Sequence, residues 1–417
     1  MKKYFYLPTL LLLAACSAEA PVDTITPQLP TRVHTPRYDL ELSTNEQGMA
    51  SANNTFAFNL FQQVKQTESK HNIVLSPLSV SYVLSMTANG AVGTTLNEIK
   101  SALGFDAYSL DDINAFYQKL TDYLTTVDGE TFVGIANSIW LNKGFKVLPE
   151  FTQVNQEYYL GEVQEVDMSK TATLRKINQW VNDKTFGCIP DLLSDIDPAT
   201  RMMLINTLYF DGLWRTQFGN PKDETFTNED GSKSVVKMLV APERSYRYTV
   251  ADGIRMIELP YGNATYSMVI MLPEEETDLH TIPDKFTQPN WKAWMEGSKG
   301  TLLNLTLPTF NINYERTLNQ DVQALGIYEL FSSSGADLSN ISVSKPLFAS
   351  KIFQKAYIKL DQYGTTATAA TAETLFTDPG IIERPVPIDF FVNRPFYYII
   401  KENSTQSILF IGCIGEL

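Results

Sequence analysis

A chain of 417 residues with 44% hydrophobic and 12% aromatic content carries enough apolar material for a large core, in one big domain or two ordinary ones, and is no disordered tail. Its 47 Asp and Glu outnumber 33 Lys and Arg for a net charge of −14, and no basic cluster interrupts that balance. This excludes a phosphate-backbone partner, so no nucleic acid is expected.

The first sixteen residues form a separate unit: Lys2 and Lys3, the apolar run Leu10 to Leu13, then Ala14-Ala15-Cys16. This predicts a secretory signal rather than a core helix. The small residues before Cys16 resemble a bacterial lipobox, in which the cysteine is acylated and becomes the mature N-terminus; plain secretion after cleavage nearby is the alternative. Acyl chains hold a protein on a membrane surface without spanning it, and no later run reaches the ~18 apolar residues of a spanning helix. The expected location is the cell envelope, lipid-anchored at an outer membrane or cell surface. Residues 17–44, with Pro21, Pro27, Pro30 and Pro36, read as a flexible tether, and residues 45–417 as one domain without an internal linker.

Within that domain, Phe56, Leu60, Phe61 and Val64 share one face of a helix over 53–64. Ser76 and Pro77 make a helix start, as N-cap and first helical residue, and Val80, Val83, Leu84 and Thr87 continue its buried face. Residues 139–141 and 268–272 read as buried strands, 177–181 as the beginning of a helix, and 302–310 as a strand up to Pro308. Ala356, Ile358 and Leu360 alternate as a half-buried strand does. The C-terminal YYIIKENSTQSILFIGCI is two strands joined by a polar turn at 403–406. Cys188 and Cys413 are too few for a disulfide framework and read as unpaired packing residues, with a single bridge as the alternative.

Catalytic constellations are poor. Only His34, His71 and His280 are available to a nucleophile pair, and no G-x-S-x-G, H-E-x-x-H, P-loop or dinucleotide fingerprint occurs. Carboxylate pairs such as Asp111-Asp112 or 274–276 read as solvated loop charge. The most informative stretch is GTTATAATA, residues 364–372, small and uncharged throughout. Threonine favours extended backbone, so the run is either a flexible spacer or a strand able to slip between two others. The TLFTDPGIIERPVP that follows reads as an exposed loop.

The order of several motifs resembles the serpin family over residues 45–417. NIVLSPLSVSYVLSMTANGA opens one family helix, and INTLYFDGLWRTQF matches N-x-x-Y/F-F-x-G-x-W-x-x-x-F at Asn206, Phe210, Gly212, Trp214 and Phe218. Leu325 to Ile327, FSSSGADLS, GTTATAATA, NRPFYYII and ILFIGCI follow in the family's order. The resemblance implies an α+β fold of about nine helices, a large central sheet, two smaller sheets and an exposed reactive loop. It implies a monomeric inhibitor and no enzyme, with no cofactor and no metal: a target protease cleaves the loop, forms an acyl-enzyme and is distorted as the loop inserts into the central sheet. The alternative is a non-inhibitory surface or binding protein whose loop is a plain substrate.

By the same resemblance Gly364, Thr365, Thr366, Ala367, Thr368, Ala369 and Ala370 form the hinge. Inward positions counted from Gly364, namely Thr365, Ala367, Ala369 and Thr371, are small enough to bury. Two departures stand out: Gln362 where the family carries Glu, and Glu373 at an inward position. Ser76, Ser79, Asn206 and Gln354 correspond to polar residues beneath the sheet that govern its opening, Gln354 standing where many members have a titratable His. Family spacing places the scissile bond after Asp378, but Pro379 follows, so Phe376 and then Thr377 are the favoured sites. Phe376-Thr377 suits a chymotrypsin-like or elastase-like enzyme, and Thr377-Asp378 a papain-like one.

Overall fold

The computed structural model describes residues 31–241, 243–365 and 386–417. Among them eight α-helices surround two sheets in an α+β arrangement. The central sheet has six strands in the order Phe310–Thr317, Ala349–Leu360, Gly364–Thr365, Met202–Leu213, Thr131–Asn142, Glu162–Val166. The two smaller sheets run into one another as a ten-stranded ladder, joined where Lys299–Pro308 pairs with Arg244–Ala251.

Met202–Leu213 is buried at every position because both faces of the central sheet are covered. Leu204, Leu208 and Phe210 face the main core. Met203 and Ile205 join Trp140, Ile177 and Val181 in a smaller core beneath the helix Thr171–Lys184. The helix Thr44–Thr67 is longer than its apolar periodicity, because Ser43 and Glu46 form a capping box ahead of it. Pro77–Ala88 begins where its sequence predicts and is buried on every side, yet the Ser76 hydroxyl makes no capping bond. Cys188 and Cys413 are both free. No helix among the described residues is long and apolar enough to cross a membrane.

The expected tether through residue 44 needs correction over its last part. Residues 31–43 lie along the body: Val33 N donates to Gly129 O at 3.0 Å, Tyr123 Oη to Tyr38 O at 2.8 Å and Lys119 Nζ to Glu41 O at 2.7 Å. Arg32 fixes the far end. Its Nη2 lies 2.6 Å from Oδ2 of Asp211, whose side chain has no exposed surface, while Nη1 donates to Glu130 O and the guanidinium sits 4.9 Å from the Phe132 ring centre. Proline content gave no sign of a partner 179 residues away.

Candidate functional site

The site is a seam in the central sheet. Met202–Leu213 and Ala349–Leu360 run parallel, and their direct pairing extends only from Ala349 opposite Met202 to Gln354 opposite Asn206. At the far ends of the same two strands, Gly364–Thr365 lies between them and antiparallel to both. Gly364 is opposite Leu213, and Thr365 is opposite Gly212 on one side and Leu360 on the other. The half-seam between these points is flanked by residues 207–211 and 355–359.

Small size at the mouth is a steric requirement. A Cβ on Gly364 would strike the carbonyl oxygen of Gly212 and the Cα of Leu213. Thr365 is 2% exposed and its hydroxyl meets the Tyr261 hydroxyl at 2.7 Å. Burial pushes the Tyr261 phenol well above its ordinary pKa, so it stays neutral. Tyr261 stacks on Trp214 at 4.4 Å between ring centres. Trp214 in turn donates its backbone N–H to Tyr363 O at 2.8 Å and its indole N–H to Asp361 O at 2.9 Å, and Phe218 N donates to Gln362 O at 3.2 Å. Trp214 and Phe218, legible only as motif residues, therefore clamp the chain that leads into the hinge. Tyr261 was missed, since nothing local ties it to a residue 104 positions away.

The closed half of the seam is backed by polar groups. Gln354 Oε1 accepts from Ser76 N at 3.1 Å, and its Nε2 donates to Ser76 O at 2.8 Å and to Ser79 Oγ at 3.2 Å. Ser79 Oγ also donates to Ser76 O at 2.9 Å. Asn206, one strand over, donates its amide to the side chain of Asn137, which the sequence did not single out. Three of the four expected seam residues are thus joined by direct hydrogen bonds, and the fourth is Gln354's partner in the ladder. Among the described residues Ser76 Oγ, Asn137 Nδ2 and Asn206 Oδ1 are buried without a partner.

Near the mouth, burial raises the Asp211 carboxyl to about 6, with Arg32 drawing it down and Asp361 adding to the rise. His34 and His71 lie 2.8 Å from the carboxylates of Glu130 and Glu229. Thr366, Ala367, Thr368, Ala369, Ala370, Phe376, Thr377, Asp378 and Cys16 lie outside the described residues.

The site is thus a short strand of small residues seated in the mouth of a half-paired central sheet of an α+β protein. The chain belongs to the serpin (serine protease inhibitor) family, whose model matches residues 51–416. It is 33% identical over 377 residues to leukocyte elastase inhibitor A of Rattus norvegicus, covering 87% of this chain and 98% of that one. Neuroserpin of Gallus gallus is 31% identical over 366 residues, covering 85% and 88%. Among solved structures, the thermophilic serpin tengpin in the native state superposes with a TM-score of 0.81 at 29% identity, covering 92% of this chain and 97% of that one.

Proposed function

We propose that this serpin inhibits serine endopeptidases of the elastase-like or chymotrypsin-like kind, with papain-like cysteine endopeptidases as a second class, by acting as a suicide substrate. The protease nucleophile attacks a carbonyl carbon within residues 376–378, with Phe376 the preferred position. The peptide bond breaks, the amine of the following residue leaves, and the ester or thioester formed keeps the enzyme attached while the freed loop inserts. The observation that carries this reading is Thr365 already paired with both Leu360 and Gly212. Continuing that register moves each further loop residue one position earlier on both flanking strands, so the residue at 371 arrives between Gln354 and Asn206, the first closed pair. At a net ~0.5–1.5 kcal/mol per backbone hydrogen bond, some dozen new bonds contribute on the order of 10 kcal/mol, comparable to the stability of a whole domain. In this reading the protein works as a monomer, acylated at Cys16 and held at the extracytoplasmic surface of a cell envelope.

Incubation with elastase, chymotrypsin and papain tests the inhibitory part: a denaturant-stable covalent band is expected, together with a higher melting temperature after loop cleavage. Clean turnover of the loop with an unchanged melting temperature defeats it. Cys16→Ser is expected to release the protein from the membrane fraction.

A further inference from the structure

We propose that Asp361 is the positioning residue that sets the register of the inserting loop; the inference rests on the loop-insertion reading above. Leu360 and Thr365 face each other across a tight hairpin, closed by Asp361 N donating to Gly364 O at 2.9 Å with Gln362 and Tyr363 at its tip. Two-residue hairpins ordinarily use turns with positive φ, which match the twist of the strands. Neither Gln362 nor Tyr363 is in that conformation, so the backbone alone does not favour this turn.

The Asp361 side chain supplies what the backbone lacks. Oδ1 accepts from Tyr363 N at 2.9 Å and from Gly364 N at 3.3 Å, a side-chain mimic of a turn. Oδ2 lies 2.9 Å from Lys359 Nζ. The carboxylate is therefore tied to both arms of the hairpin.

Register is what this arrangement controls. A slip of one residue would turn every inserting side chain to the opposite face, removing Thr365 from the Tyr261 hydroxyl. With the turn held, the ladder grows by zipping from a hairpin already begun, and the flanking strands receive the loop without a shift in their own alignment.

The test compares Asp361→Ala with Asp361→Asn in otherwise intact protein. Asparagine keeps the Oδ1 acceptor and loses the charge. Asp361→Ala is expected to raise the number of inhibitor molecules cleaved as plain substrate for each protease trapped by about fivefold, the effect of one net hydrogen bond on a rate competition. The rate of loop acylation should be unchanged, and Asp361→Asn should fall within about twofold of wild type. Unchanged stoichiometry in Asp361→Ala overturns the proposal. So does an Asp361→Asn variant as impaired as the alanine, which would assign the effect to the Lys359 ion pair. If wild type traps no protease, the inhibitory reading fails, and Asp361 is judged separately on loop-nicked protein. Conversion to the heat-stable form about fivefold slower in Asp361→Ala then supports the assignment. Equal rates, or no conversion in either protein, refute it.

Discussion

Replacing Thr365 by Arg puts the steric argument to a direct test. The side chain at this position lies beneath the sheet, opposite Gly212 and Leu360 and against the Tyr261 hydroxyl, with 2% of the residue exposed. Burying an unpaired guanidinium there costs several kcal/mol, and the longer side chain adds about 1–3 kcal/mol of overpacking. Leaving the sheet instead gives up a few hydrogen bonds, about 0.5–1.5 kcal/mol each. Expulsion is the smaller cost, so the variant should fold with its hinge outside the seam. After cleavage, insertion must still bury the arginine first, and a barrier raised by about 4 kcal/mol slows that step on the order of a thousandfold. Deacylation then wins. The assay is the titration of elastase or chymotrypsin with wild type and variant, with the covalent band read on a denaturing gel. The expected result is cleaved loop, free enzyme and no band. Trapping at the wild-type stoichiometry would refute the inward placement of Thr365.

Other outcomes follow from neighbouring groups. Because burial raises the folded-state pKa of Asp211 to about 6, its ionisation opposes folding as pH rises through that value, and the contribution recovers as pH falls toward ~4. Arg32 offsets that penalty only while Asp211 is ionised, so Arg32→Ala should lower the melting temperature more at pH 8 than at pH 5, the loss at the higher pH being equivalent to about 3 kcal/mol of stability; equal losses would show that the pair carries no weight. Gln354→His should introduce a rate of spontaneous loop insertion that departs from wild type as pH falls through ~6.5, read on native gels over time, since the amide at Gln354 does not titrate. Extended to position 373, the register at Thr365 would set that residue opposite Leu204 and Ile352, both in the main core. Glu373→Ala should therefore raise the melting temperature of the loop-cleaved form by the equivalent of about 1–3 kcal/mol, measured by calorimetry, and no gain would place that residue outside the sheet.

What was legible in the sequence was what short-range pattern encodes. Alternation at Ala356, Ile358 and Leu360 gave a strand, Ser76-Pro77 gave a helix start, and small side-chain volume at Gly364 and Thr365 matched the tight space they occupy. The partners of these elements were not legible, because they are set by contacts between distant segments. Asn137 meets Asn206 across 69 residues, and Thr365 meets Tyr261 across 104. Arg32 gave no local sign for the same reason: it lies in a proline-rich stretch that reads as a tether, and only the fold brings a buried carboxylate to it. Asp361 did leave a local trace, an acidic residue three positions before a glycine, yet its meaning depends on the turn conformation the fold imposes.

The direction of the strands around the seam has a kinetic consequence. Two parallel neighbours cannot be joined by a short turn, but a reversed third strand can lie between them and form antiparallel ladders with each. Once seated, such a strand is held along both edges, and undoing it would require the two ladders to fail together from the free end back to the hairpin. The forward process resembles closing a zip fastener, while the reverse resembles pulling a tooth from the middle of a closed one. On the proposed loop-insertion reading, a molecule so arranged would be a one-way device, its working life set by how long the closed seam from Ala349 to Gln354 stays shut.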